Sequence, residues 1–415
     1  MCESRKSEGS LAIMGWSLFR PTGLTHKNSK FSGGYTLITP IGGDSTYLID
    51  QGGRIVHVWQ MPAFQPGYGY LLPGGNLLVR GQPLDQTGSG IATAGGRADI
   101  LVELDWDGNE VWRWEHSAFH HDMCRLPNGN TLVIVWEQMP GYLADRVRGF
   151  MDPEMTARLT GDEEHFRFIM KGLGVGGRPR DLSGFLGDAI MEINPQGEPV
   201  RVWHAWEHLD PESDIVCTKE FRHEWSHANS VEYGSTGDVL VSFRELSTVV
   251  RISWPEGKVL WKWGGGKISH QHDATFTSEN RMMVFDNGPH HPIVPRSRVI
   301  EVDMTTDKIV WQYYPEHVFS LFSGHIAGAE RLRNGNTLIC EGQSGRVFEV
   351  TPECDVCWEW VSPFVLPFRG VKCSMLFRAH RYFQDGPELR GKRIDAKACD
   401  ELNRKWGLTD RAGNS

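Results

Sequence analysis

One pattern recurs six times in this chain and leaves few folds open to it. Each copy is an apolar run, an acidic or small residue, a turn, then a second apolar run ending in an aromatic residue. The copies are TYLIDQGGRIVHVW, DILVELDWDGNEVWRW, DAIMEINPQGEPVRVW, TVVRISWPEGKVLWKW, RVIEVDMTTDKIVWQY and RVFEVTPECDVCWEW, ending at Trp59, Trp114, Trp203, Trp263, Tyr313 and Trp360. In every copy the aromatic lies six residues beyond the turn position, held by Gly53, Gly108, Gly197, Gly257, Asp307 and Cys354. A second hairpin precedes the pattern in five cycles: LLPGGNLLVR, RLPNGNTLVIV, YGSTGDVLVSF, TSENRMMVFDN and RLRNGNTLICEG. Gly-Asn and Asn-Gly turns between apolar runs mark such hairpins. Two hairpins make four strands, one blade of a propeller, and cycles of roughly 47–60 residues suit blades.

The expected fold is therefore all-β, a six-bladed β-propeller over residues 31–385, with an N-terminal arm (1–30) and a C-terminal tail (386–415). The strand in GGYTLITP and the segment MLFRAHRYF are predicted to share the last blade, tying the ends of the ring together without an open edge. One interval, Trp114 to Trp203, is too long. Its excess, 137–188, contains YLADRVRGFMDPEMTARL with helix-like apolar spacing. It reads as a helical excursion from blade two, placed as a lid or as a plain surface insertion.

Composition excludes several classes of function. The 47 glycines and 16 tryptophans suit tight turns and sheet-on-sheet packing, and a net charge of -9 with no basic run gives nothing for nucleic acid or an anionic membrane. No apolar stretch reaches the roughly 18 residues of a membrane span, and the N-terminus shows no apolar signal core, so a cytoplasmic location is expected. Eight scattered cysteines in 415 residues do not form a small disulfide framework. Cys354 and Cys357 sit at turn and apolar positions of the repeat, which favours a structural role over redox chemistry. GLGVGGRP, from Gly172, lacks the preceding strand and following Lys-Ser/Thr of a nucleotide loop.

The segments that feed the innermost strands hold the chemistry. They are FHHDM (His120, His121, Asp122), EWSHANSV (His227, Asn229), SHQHDATF (His270, His272, Asp273), SGHIAGAE (His325) and FRAHRY (Arg378, His380, Arg381). A histidine thus recurs in five of six blades. One alone would be a satisfied core residue; five converging on one axis crowd a narrow channel with titratable groups and indicate a functional site. Neutral imidazoles on an axis suit a divalent metal, with His121, His227, His272, His325 and His380 as ligands. Alternatively one is a nucleophile and the others move protons. Asn229 shares a strand face with His227, and Arg244 ends the paired strand within reach of the channel. His290 and His291, in DNGPHHP, line the channel or sit in a loop.

The motifs HHD near LPNGNTLV, HANSV followed by SFRELSTVVRI, and WKWGGGKISHQHDATF followed by VFDNG resemble the arylsulfotransferase family, and its shorter, cytosolic-looking relatives in particular. The likeness runs from GGYTLITP through FRAHRY. It implies a six-bladed propeller and PAPS-independent sulfuryl transfer from an aryl sulfate to a phenol, with no cofactor. It further implies His272 as nucleophile, His227, Asn229 and Arg244 as holders of the sulfuryl oxygens, and His121 as general acid or base. His325, His380, Arg378 and His120 are then expected to bind substrate. His325 and His380 go beyond the histidines this resemblance calls for. They keep open a metal-dependent lyase, hydrolase or oxygenase acting on a small aromatic or ether substrate. A non-enzymatic binding propeller is the third reading.

Overall fold

The computed structural model describes residues 12–13, 20–84, 95–148, 185–217, 220, 224–291, 293–317, 320–368 and 370–409. Six sheets of antiparallel strands follow one another around an axis. Blade one comprises Phe64–Leu71, Leu77–Pro83, Ile100–Leu104 and Glu110–Glu115; blade two Phe119–Arg125, Thr131–Gln138, Leu186–Ile193 and Pro199–His204. Blade three comprises Ala228–Tyr233, Asp238–Phe243, Thr248–Ser253 and Val259–Gly264; blade four His272–Ser278, Arg281–Asp286, Arg298–Asp303 and Lys308–Tyr313. Blade five comprises Gly328–Arg331, Thr337–Glu341, Arg346–Val350 and Val356–Val361, and Gly23–Lys27 adds a fifth, outermost strand. Blade six is closed as the sequence predicts. Leu376–Tyr382 is its innermost strand and pairs antiparallel with Tyr35–Pro40, Tyr382 opposite Tyr35; Ser45–Ile49 and Ile55–Gln60 complete it. This join pairs the two ends of the ring through backbone hydrogen bonds and leaves no sheet edge there.

The aromatic of the repeat has a specific partner, and that explains its spacing. The indole N–H of Trp114 donates to the carbonyl of Gly197 (3.1 Å), that of Trp203 to Gly257 (2.9 Å), Trp263 to Asp307 (3.3 Å) and Trp360 to Gly53 (3.2 Å). Trp59 reaches Asp105 in the same way (3.0 Å). The five tryptophans thus cap the turn of the next blade, each burying its ring between two sheets while satisfying its one donor. The turn must be tight and close to the ring. Gly53 has φ +77, and a Cβ there would lie 2.6 Å from Trp360. Asp307 and Cys354 take the same left-handed conformation, with φ +58 and +73. Cys354 is therefore a turn residue, and Cys357 is buried; neither is in a disulfide.

Apolar cores lie between neighbouring sheets. The largest joins Leu132, Ile134 and Ile190 of blade two to Val239, Val241 and Val250 of blade three. Inner strands are nearly wholly buried and outermost strands alternate toward solvent, as stacked propeller sheets require. The predicted excursion begins with a single helical turn, Gly141–Ala144. Residues 149–184, with the rest of that segment and GLGVGGRP, lie outside the described residues. Beyond the last strand, Asn403 exchanges two hydrogen bonds with the backbone of Ile55, docking the short C-terminal helix Asp400–Lys405 on blade six. Among the described residues no helix is long and apolar enough to cross a membrane.

Candidate active site

Backbone strain is concentrated where the innermost strands begin. His121, His227, His270, Asp273 and Ile326 all have φ between +47 and +58. Non-glycine residues, and β-branched isoleucine above all, avoid this region unless the surroundings hold them there. The curled backbone turns His121, His227 and Ile326 out of the sheet register and into the axial cavity. His121, His227, His272, Arg244 and His325 meet there around one cavity of about 340 Å³.

His272 is held at one nitrogen and open at the other. Its Nδ1 faces two acceptors, Asn287 Oδ1 at 2.8 Å and the carbonyl of His270 at 3.1 Å, so Nδ1 carries the hydrogen. Asn287 is itself fixed, because its amide N–H donates to Ser323 O (2.7 Å). Nε2 therefore presents its lone pair to the cavity, touched only by a long 3.3 Å contact from the Ile326 N–H. Burial, then the Arg244 cation, hold the His272 pKa well below the ordinary histidine range.

His121 is set by a chain behind it. Asp188, buried, accepts from Ala228 N–H (2.8 Å) and the Ser226 hydroxyl (3.0 Å) through Oδ2, and its Oδ1 lies 3.1 Å from His120 Nε2. His120 Nδ1 lies 2.7 Å from His121 Nδ1. His120 Nε2 and Asp188 Oδ1 are close but not aligned as a hydrogen bond; the carboxylate's charge favours the hydrogen on Nε2, which leaves His120 Nδ1 to accept. His121 then carries its hydrogen on Nδ1 and leaves Nε2 as an acceptor in the cavity. Burial, then neighbouring His227, keep its pKa well below the ordinary value.

His227 is the opposite case. Burial alone would lower its pKa, but Glu224, 2.7 Å from Nδ1, and Glu245, 3.8 Å away, outweigh that and raise it. Its ring meets that of His121 edge to face, centroids 4.6 Å apart. One cavity thus holds two imidazoles kept neutral and one favoured as imidazolium, a division typical of acid–base sites.

Residues 168–362 match the family model for arylsulfotransferase (ASST). The match spans 195 of the 415 residues, just under half of the chain. No curated protein matches the chain. Solved structures similar to this chain include a Bacteroides caccae protein of unknown function, 14% identical, with a TM-score of 0.49 over 84% of this chain and 98% of that one. A streptogramin B lyase is 11% identical, with a TM-score of 0.44 over 87% of this chain and 86% of that one. A hydrazine synthase of Kuenenia stuttgartiensis is 12% identical, with a TM-score of 0.44 over 79% of each chain.

Four residues expected at the arylsulfotransferase-type site stand off the cavity wall. Arg378 is wholly engaged as a hub of the axis. It pairs with Asp122 (2.9 Å) and Asp273 (3.1 Å) and donates to Asn229 O (2.9 Å), joining blades six, two, four and three. Asn229 is buried, its amide N–H donating to Gln271 O (2.8 Å), so it braces the blade-four entry and does not face substrate. His380 belongs to a separate cluster, bonded to the Tyr68 hydroxyl (2.8 Å) and 3.5 Å from Glu330. His120 acts behind His121. With His380 elsewhere, the five-histidine metal set is not assembled. Among the described residues, no three cavity histidines bring ligand atoms within 4.8 Å of one another.

Arg80 is the cavity residue that sequence reading passed over. It lies mid-strand in LLVRGQ, outside the histidine-bearing segments, and only its interruption of an apolar run signals it. Its guanidinium lies 4.4 Å above the Phe377 ring, and burial lowers its pKa to about 10, which leaves it charged at neutral pH. Among the described residues Arg80 has no ion pair, whereas Arg244 pairs with Glu245 and Arg97 with Asp99. An unneutralised buried cation beside three imidazoles is suited to an anionic substrate group. Phe377, Phe368, Met375 and Ile41 give the same cavity an apolar wall.

Proposed function

We propose that this cavity transfers a sulfuryl group from an aryl sulfate ester to a phenolic acceptor through His272. The carrying observation is the pair of oxygens on His272 Nδ1. They hold the hydrogen on Nδ1, so Nε2 is the nucleophilic nitrogen once it gives up the Ile326 N–H (3.3 Å), and they stabilise the positive ring that forms when Nε2 takes up an electrophile. In the first step Nε2 attacks sulfur, an N–S bond forms, and the S–O(aryl) bond breaks with its electron pair leaving on the phenolate. The imidazolium of His227 gives that oxygen its proton. In the second step the acceptor phenol oxygen attacks sulfur and loses its proton to His121 Nε2. The N–S electron pair returns to His272. Proton exchange with solvent then resets His121 and His227.

The sulfuryl group in flight carries negative charge on three oxygens, much as a phosphoryl group does. Arg80, Arg244 and His227 are the donors placed to meet it, and the apolar wall with Phe377 takes the aryl ring. His325, exposed at the rim, meets the substrate as it enters. The test is transfer from p-nitrophenyl sulfate to a phenol, with acid-quench trapping of a sulfated enzyme. His272→Ala should abolish both turnover and the trapped adduct. A His272→Ala enzyme that still accumulates the adduct would overturn the assignment.

A further inference from the structure

Behind His272, on the side away from the cavity, three chain segments bring a second set of donors together. We propose that Cys217, His270 and His290 hold a divalent transition cation of the zinc class, with the Glu220 carboxylate beside the site. The ligand atoms of Cys217, His270 and His290 all lie within 4.8 Å of one another. Glu220 Oε1 sits 3.6 Å from His270 Nδ1 and 3.7 Å from His290 Nε2. Those separations are too long for hydrogen bonds. Glu220 does not lie within 4.8 Å of all three of the other donors, so its carboxylate stands beside the site.

His270 points independently to a ligand. It is completely buried, and neither ring nitrogen has a hydrogen-bond partner. A buried imidazole with both nitrogens unsatisfied is costly unless something occupies the space in front of it. Its φ of +55 turns the ring off the strand, and the His290 ring meets it edge to face, centroids 4.5 Å apart. The Glu220 N–H donates to the Cys217 carbonyl (2.9 Å), which brings that residue near the site. Glu220 groups with Glu245 and His270, and the Glu245 carboxylate is paired with Arg244. Arg244 Nη2 is 3.9 Å from Glu220.

Thiolate and imidazole donors select zinc over calcium or magnesium. Such an ion ties Cys217 and the DNGPHH loop to the strand entry that carries His272. The His270 carbonyl is one of the two acceptors on His272 Nδ1, so the ion holds the nucleophile's support rigid without touching substrate. This assignment does not depend on the sulfuryl-transfer reading.

Metal content of the full chain, purified without chelators, tests it. About one zinc per chain is expected, replaceable by cobalt with a thiolate-to-cobalt charge-transfer absorption in the near ultraviolet. Cys217→Ser should remove that absorption, and His290→Ala should weaken cobalt binding by roughly tenfold or more. His272→Ala and His121→Ala should leave stoichiometry and absorption unchanged. If Cys217→Ser does not fold, His270→Ala serves, with weakened binding expected. Failure to take up zinc or cobalt from added salt overturns the proposal. So does metal lost in His272→Ala yet kept in Cys217→Ser and His290→Ala, which assigns the ion to the cavity.

Discussion

Asp188 never touches the cavity, yet its replacement by asparagine should disable the site. Its Oδ2 serves Ala228 N–H, the Ser226 hydroxyl and Ser226 N–H at 2.8, 3.0 and 3.3 Å, and its Oδ1 lies 3.1 Å from His120 Nε2. An asparagine has one oxygen, and the two backbone donors claim it. The amide NH2 must then face His120, which can accept there only by moving its hydrogen to Nδ1. That hydrogen points at His121 Nδ1, 2.7 Å away, and forces the His121 hydrogen onto Nε2. The cavity loses an acceptor and gains a donor, with no change in shape. General base catalysis contributes about 10²–10⁴ in rate, which is about 3–5 kcal/mol of barrier. We therefore expect Asp188→Asn to lower kcat for p-nitrophenyl sulfate by about 10²–10⁴ with little change in KM. Loss of one charge-assisted bond should cost about 1.5–3 kcal/mol of stability. Nitrogen-15 spectra of the histidine rings report the tautomers directly. Inverted tautomers with kcat within about threefold of wild type would refute the role given to His121. Unchanged tautomers would refute the relay.

Arg80→Met keeps the stacking volume on Phe377 and removes the charge; kcat/KM for an anionic ester should fall by roughly 10–100-fold, the worth of a charged hydrogen bond, while uncharged phenols compete for the cavity as before. Gly53→Ala drives a Cβ to 2.6 Å from Trp360 at φ +77 and should cost about 1–3 kcal/mol in urea unfolding, whereas alanine at Gly74, which meets nothing within 4 Å, carries only the backbone part of that cost. Burial raises the Glu232 carboxyl from 4.5 to about 8, against a hydrogen bond from the Phe276 N–H. The folded state then keeps a proton that the unfolded chain has lost. That stability is present below pH 4.5 and falls as pH rises toward about 8, by up to about 1.4 kcal/mol per pH unit. Melting curves from pH 5 to 8 should show this decline, and Glu232→Gln should flatten it.

The propeller was legible because its repeat is local. Turn glycines, strand alternation and an aromatic six residues after the turn are all written within one blade's length, and ring closure follows from the two unpaired end segments. Which histidines would meet was not local. His121, His227 and His272 occupy the cavity because positive-φ residues curl each strand entry toward the axis, and φ is not visible in residue type when histidine or isoleucine is the one that bends. His380 shares the sequence position and points elsewhere, captured by Tyr68 and Glu330. Arg378 and Asn229 carry the right chemistry but spend it on other blades. Arg80, and the grouping of Cys217 with His270 and His290, could only emerge when distant segments were brought within a few ångströms. Sequence by itself determined the ring and its closure. Tertiary structure decided which side chains face substrate and which face one another, because that choice depends on long-range ion pairs and hydrogen bonds that no single blade contains.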